Sequence, residues 1–402
     1  MADKSKRDPV ILASARTPQG KLMGALSPLS AAELGQVAFG AAVERSGIDA
    51  GDVNEVIVGN VIGAGIGQAL PRQISINAGV PEHVGGVSVN KVCGSGLKSV
   101  MLASSAIKAD DGDLYLAGGV ESMSNVPHFS RLRNGTKYGA VEFEDAIEID
   151  GLRDTFNDWL MGNAAEFIGK QLEVTREEMD EFAYRSHKLA HEATEAGKFR
   201  EEIVPVTIKT RKGEIIVDTD EPIRSTTSIE ALAGLRPAFE ADGQVTAGNA
   251  PGLNDGAAAV VVASRDYAEQ KGHDVVARIV AYGQAALDPQ WIFYAPVKAV
   301  PVALERAGWT HDEVDLYEFN EAFAAQVLAD MRGLERDGYP IPLEKINVHG
   351  GAIALGHPLG ASGARVLVTL IHALKDRGLR KGVVALCLGG GEAVAMAVEL
   401  ES

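Results

Sequence analysis

The chain reads as an α/β fold built from two copies of one unit with an insertion between them, and three observations predict it. Short apolar runs rich in β-formers alternate with helical stripes toward both ends. The ends also repeat one another. Ala42-Val43-Glu44-Arg45-Ser46-Gly47 matches Ala303-Leu304-Glu305-Arg306-Ala307-Gly308 at an offset of 261, and Leu116-Ala117-Gly118-Gly119-Val120-Glu121 matches Cys387-Leu388-Gly389-Gly390-Gly391-Glu392 at 271. Between them, an offset of 264 carries Cys93 onto His357 and Gly96 onto Gly360. From Glu121 to about Asn249, finally, charge rises and the alternation breaks down.

In order, Val10 to Ala15 is expected as a buried strand, and Ser30-Ala31-Ala32-Glu33 is a capping box opening a helix with Leu34, Val37, Ala38 and Ala41 on one face. Val56-Ile57-Val58 is the next strand, followed by helical pattern near 72–78 and a strand over 87–92. A helix with Leu97, Val100, Met101, Ser104 and Ile107 on one face leads to the strand from Leu114. Such alternation implies a largely parallel sheet with helices on both faces. In the inserted stretch, Thr175-Arg176-Glu177-Glu178 caps a helix that Gly197 ends. Insertions over a sheet's carboxyl ends often wall a substrate site. Later, Leu316 to Phe319 reads as a strand, Pro358 as a first helical residue before a stripe of Ala364, Leu367, Val368, Ile371 and Leu374, and Val383 to Leu386 as the last strand.

Composition excludes several functions. A net charge of −17 over 402 residues would repel nucleic acid and anionic membrane. Two cysteines make no disulfide framework, so a reducing, cytoplasmic location is expected. No run of eighteen apolar residues occurs, and the first residues lack a secretory apolar core. Metal binding is not expected, because there is neither an HExxH nor a paired CxxC, and the cysteines stand 294 positions apart.

The candidate chemistry gathers at strand ends on one side. Cys93, in Val92-Cys93-Gly94-Ser95-Gly96, stands where a strand turns into a helix, and the positive end of a helix favours thiolate over thiol. The competing reading is a cysteine packed as a small hydrophobe. His357 lies at the repeat-equivalent position, where a helix start keeps an imidazole neutral and able to take a proton. Cys387 ends the last apolar strand before three glycines, which allow backbone N–H groups to approach a carbonyl oxygen; it is an acid–base thiol or a core residue. Asn320 is placed to hold a water or ligand oxygen, or to cap the helix that follows.

Together, Asn90 to Gly96, Gly118 to Met123, Asn320-Glu321-Ala322-Phe323, Gly350 to Gly363 and Cys387 to Gly391 resemble the thiolase family, most closely its acetoacetyl-CoA type, over nearly the whole chain. The resemblance implies a five-layer αβαβα fold from two similar halves plus an inserted loop domain. The halves are placed at 1–120 with 250–281 and at 282–402, the loop domain at 121–249. It also implies acyl transfer through Cys93 activated by His357, with Cys387 removing an α-proton. One oxyanion hole would be formed by His357 and a water on Asn320, the other by the N–H groups of Cys93 and Gly389. Each such donor is worth roughly 3 to 4 kcal/mol. Coenzyme A thioesters are then substrates, no tightly bound cofactor is implied, and a homodimer or homotetramer is expected. Substrate contacts carry over to Arg224 near the adenine and to Leu152, Met161, Phe239, Ala247, Ala322 and Phe323 along the pantetheine. Three departures stand out: Leu160 in place of the family histidine before Met161-Gly162, Pro251 in place of a serine, and the bulky Trp291 to Pro296 stretch. The reading is reversible condensation of two acetyl-CoA molecules. The alternatives are a degradative 3-ketoacyl-CoA thiolase of broader chain length and a non-catalytic coenzyme A-binding homologue.

Overall fold

The computed structural model describes residues 6–401, so the start of the chain, where a secretory leader would begin, lies outside the described residues. The first half supplies β1 (Pro9–Arg16), α1 (Ala31–Ser46), β2 (Glu55–Gly59), α2 (Leu70–Asn77), β3 (Gly85–Val89), α3 (Ser95–Lys108) and β4 (Leu114–Ser122). The middle region carries α4 (Met161–Gln171) and α5 (Arg176–Glu195). Then come β5 (Asn254–Ser264), β6 (Ala277–Ala286), α6 (Pro296–Ala307), β7 (Leu316–Phe319), α7 (Ala324–Arg336), α8 (Leu359–Arg377), β8 (Lys381–Leu388) and β9 (Glu392–Leu400).

Strand order makes the duplication visible. Across the sheet it runs β7-β8-β9-β6-β1-β5-β4-β2-β3. Outward from the middle, β1-β5-β4-β2-β3 is answered by β6-β9-β8-β7, and a parallel bridge from Tyr317 to Ile346 stands where the second half would need its fifth strand. The two strand sets meet where β1 pairs with β6, at Val10–Arg278 and Ile11–Ala277. Helices α3 and α8 pack on each other between the halves, α1 and α2 cover one outer face, and α6 and α7 cover the other. This is the five-layer αβαβα arrangement.

Why these strands lack a wet face follows from their residues. Val56 and Val58 of β2 point to the outer slab with Leu34 and Phe39, while Ile57 points to the central slab with Leu97 and Leu367. Val383, Ala385 and Cys387 of β8 face the other outer slab, and Val384, Leu386 and Leu388 the central one. Both faces of β2 and β8 are therefore apolar, and each fully buried Val, Leu or Ile side chain contributes about 1.5–3 kcal/mol.

Ser30 and Glu33 close their capping box around α1. Its buried face is Leu34, Gly35, Ala38, Phe39 and Ala42, rotated from the expected stripe so that Val37 and Ala41 fall at the margin. The sheet is mixed rather than largely parallel. Only β2–β3, β2–β4 and β7–β8 run parallel, whereas β1–β5, β5–β4, β1–β6, β6–β9 and β8–β9 are antiparallel. For β8–β9 the physical reason is the turn at Gly389-Gly390-Gly391. With φ of 87° and 82° at its last two residues, it folds β9 straight back on β8 without a crossover helix. Among the described residues no helix is long and apolar enough to cross a membrane.

Candidate active site

Cys93 is presented by strain. After β3 the chain turns through Val92, a β-branched residue held at φ 45°, where glycine would be at ease. Ser95 fixes the turn: its Oγ accepts from Lys91 N–H at 2.9 Å and donates to the Val92 carbonyl at 2.6 Å. The neighbouring glycines serve packing instead. A Cβ on Gly94 would lie 2.5 Å from Leu388, and one on Gly96 would lie 2.8 Å from Ala364 N and 2.9 Å from Gly360 O.

His357 stands two positions before the first residue of α8, as Cys93 does before α3 (359 − 357 and 95 − 93). Its backbone N–H donates to Asn254 Oδ1 at 2.9 Å. On the ring, Nδ1 lies 2.6 Å from Ser362 Oγ, which itself lies 2.9 Å from the Pro358 carbonyl. Since Ser362 has one hydrogen and gives it to Pro358, Nδ1 carries the ring proton and donates to Ser362. Nε2 is left with the lone pair, which accepts from Asn320 Nδ2 at 3.4 Å.

Asn320 is fully buried at the end of β7. It does not cap α7, whose N-cap is Phe323 without a side-chain bond. Its N–H donates to Ala385 O at 2.9 Å, and its Oδ1 has no protein partner.

The electrostatics correct one expectation. Burial pushes the Cys93 thiol up to about 12, although the N–H groups of Cys93 and Gly389 point at the sulfur and pull the other way, and the Glu121 charge adds to the rise. Desolvation thus outweighs the helix end, and the resting sulfur is a thiol. Burial, assisted by the Arg365 cation, pushes His357 down to about 3, so the imidazole is neutral as expected. Burial also raises Cys387 well above the ordinary thiol value, with the charges of Cys93 and Asp330 adding to it.

One cavity, with about 780 Å³ of empty space including its open mouth, brings Cys93, His357 and Cys387 together. Of the expected substrate contacts, Leu152, Leu160, Met161, Phe239, Pro251, Ala322 and Phe323 line it. Arg224 and Ala247 do not. They meet each other on the surface, Arg224 Nη1 donating to the Ala247 carbonyl at 3.3 Å. Ile292 and Phe293 also line the cavity, so the bulky stretch noted in the sequence forms part of its wall, with Phe293 edge-on to Phe323 at 5.4 Å between centroids. Among the described residues no cluster of His, Cys, Asp and Glu could hold a metal.

Three supports had escaped sequence reasoning. Ser362 and Asn254 act through contacts that no motif spacing announces. Glu121 is fixed by four donors: Asn60 Nδ2 at 2.8 Å, Val61 N at 3.0 Å, Ile62 N at 3.1 Å and, from the other half, Gly360 N at 2.8 Å. Burial still raises its carboxyl to about 7. It ties the end of β4 to the first turn of α8.

Residues 9–266 match the model of the thiolase N-terminal domain, and residues 273–400 that of the thiolase C-terminal domain. The chain belongs to the thiolase family. Among related thiolases, an acetyl-CoA acetyltransferase of Cupriavidus necator is 49% identical over 394 residues, covering 98% of this chain and 99% of that protein. One from Pseudomonas aeruginosa is 48% identical, covering 97% and 98%. The crystal structure of the Bacillus anthracis acetyl-CoA acetyltransferase superposes with a TM-score of 0.95 at 42% identity, covering 98% of this thiolase and 99% of that chain.

Proposed function

We propose that this thiolase is an acyltransferase that condenses two acetyl-CoA molecules to acetoacetyl-CoA and coenzyme A, reversibly, through an acetyl-Cys93 intermediate. The observation that carries this reading is the meeting of two free thiols and a neutral histidine in one largely apolar cavity. The names of the relatives support the substrate.

His357 Nε2 takes the Cys93 proton as the sulfur attacks the thioester carbonyl. The departing coenzyme A thiolate takes its proton from Cys387, which is left as the base for the second half-reaction. Cys387 then removes an α-proton from the next acetyl-CoA, and the carbanion forms a bond to the acetyl carbonyl carbon. As the Cys93–acyl bond breaks, the proton on His357 returns to the Cys93 sulfur. Thiolysis runs these steps backward. Because both the thiolate and the imidazolium are costly in this cavity, nucleophile formation is coupled to substrate arrival. The N–H groups of Cys93 and Gly389 serve one oxyanion, and His357 with a water on Asn320 serves the other. Leu152, Leu160, Met161, Phe239, Pro251, Ala322 and Phe323 receive the acyl-pantetheine arm, and Arg224 with Ala247 meets the nucleotide end outside the cavity. We place this chemistry in two halves, 1–120 with 250–281 and 282–402, with 121–249 covering the coenzyme A side, in a cytoplasmic enzyme.

Intact-protein mass spectrometry after mixing with acetyl-CoA tests the reading. The parent is expected to gain one acetyl group, and Cys93→Ala none. Cys387→Ala is expected to acetylate, more slowly because the departing coenzyme A must draw its proton from solvent, yet fail to condense, whereas an unlabelled parent would refute the proposal.

We also propose self-association through β3. This edge strand, Gly85-Gly86-Val87-Ser88-Val89, is uncharged and has Val87 exposed, an edge open to pairing with a second copy. Exposed Leu132, Tyr138 and Phe143 offer a further apolar surface for a tetramer. Light scattering on the eluting protein should give a dimer or tetramer; a monomer at micromolar concentration would contradict this.

A further inference from the structure

Asp330 is a carboxyl with no evident structural reason to be where it is. It lies on α7 at 0% exposure, in the outer slab that Cys387 faces together with Val383 and Ala385. Its Oδ2 accepts a hydrogen bond from Gln326 Nε2, and its Oδ1 has no protein partner. Gln326 Oε1 in turn accepts from the Ala322 N–H at 3.1 Å. The carboxyl is thus wired to the turn that follows Asn320; burial raises it well above the ordinary carboxylate range against the pull of the Gln326 bond, and once ionised its charge bears on Cys387. An unpaired buried carboxyl costs stability, and an apolar side chain of the same size would not.

We propose that Asp330 is a positioning residue for the second half-reaction: it makes Cys387 a stronger base and, through Gln326, holds the loop that carries Asn320. This rests on the role given to Cys387 above.

Cys93 and Asp330 are the two acids whose charges bear on Cys387. Around α7 the other charged groups are engaged elsewhere. Glu166 of α4 accepts from the Gln244 and Val245 N–H groups, and Asp180 of α5 is held by Arg176 and Asn249. Lys298 of α6 pairs with Asp337, and Glu178 of α5 pairs with Arg332 of α7 itself. The turn at Pro289–Tyr294 contributes Tyr294, packed against Trp291. Asp330 and Cys387 therefore titrate as neighbours. Once the carboxyl is ionised, its charge holds the proton on sulfur. Removing that charge lets Cys387 ionise at lower pH and makes the resulting thiolate a weaker base.

The test compares Asp330→Asn and Asp330→Val with the parent and with Cys387→Ala, using acetylation of Cys93 by mass and the pH profile of condensation. Both Asp330 variants should acetylate Cys93. The limb of the condensation profile that belongs to Cys387 should move down by about half a pH unit or more, with kcat on the plateau falling about twofold or more. The valine variant guards against a folding defect peculiar to the amide. Folded variants that keep the parent's profile, while Cys387→Ala loses condensation, would overturn the inference alone. Condensation retained by Cys387→Ala would overturn the base role and the inference with it.

Discussion

Ser362 decides which nitrogen of His357 carries the proton, because its own hydrogen is already committed to the Pro358 carbonyl. Ser362→Ala leaves a buried ring N–H without its acceptor, a loss of about 1–3 kcal/mol, and frees the imidazole to take the other tautomer. The acetylation rate of Cys93 should fall about tenfold or more, and Ser362→Thr should retain most of it. An unchanged rate in the alanine variant would mean that the tautomer is fixed elsewhere. At this scale the sequence was informative about identity and poor about state. Cys93 and His357 could be singled out because they occupy matching places in a repeat, and Cys387 because it ends an apolar strand before three glycines. That the sulfur rests as a thiol could not be read, since the desolvation responsible comes from segments distant along the chain. Val92 tells the same story. A strand-to-helix turn was legible, but its strain sits on valine rather than on the glycines beside it.

Helices α3 and α8 set the distance between the two halves of the site, and Gly96 is one of the places where they come close. A methyl group there would meet backbone atoms at Ala364 and Gly360, which have no rotamer to escape into. Gly96→Ala should therefore cost about 1–3 kcal/mol of stability by overpacking and, by moving His357 away from Cys93, lower the acetylation rate. A variant with normal Tm and normal rate would show that the layers have slack. Helix starts were the most legible elements, since Ser30 and Thr175 cap through local bonds that sequence spacing encodes. The stripe of α8 was also read correctly, but the helix is buried on every side from Leu359 to Ile371, and only its place between two sheets explains that. Helix α4 was missed because it opens without a Ser, Thr, Asp or Asn cap; Asn163, inside the first turn, accepts from Leu160 N–H instead. The antiparallel returns were misread for a related reason: a glycine run that approaches a ligand and one that turns a hairpin look alike in one dimension.

Across the whole molecule, the repeat seen in the sequence became two matching strand orders, and the insertion became part of the cavity wall through Leu152, Leu160, Met161 and Phe239. The central layer carries a consequence for how the chain is made. Helix α8 is buried on every side from Leu359 to Ile371, and α3 leaves the side of Lys98, Leu102 and Ser105 half-buried, so each half supplies a lid for the other's helix. A ribosome releases α3 more than two hundred residues before α8 emerges, and during that interval α3 has nothing to cover its inner face. Synthesis of this enzyme is thus a long exposure of one apolar surface, and chaperone demand should track the time spent there. Residues 1–281 expressed alone should aggregate or stay chaperone-bound and recover a soluble form when residues 282–402 are co-expressed. A monodisperse, cooperatively melting fragment would show that the first half closes over α3 unaided.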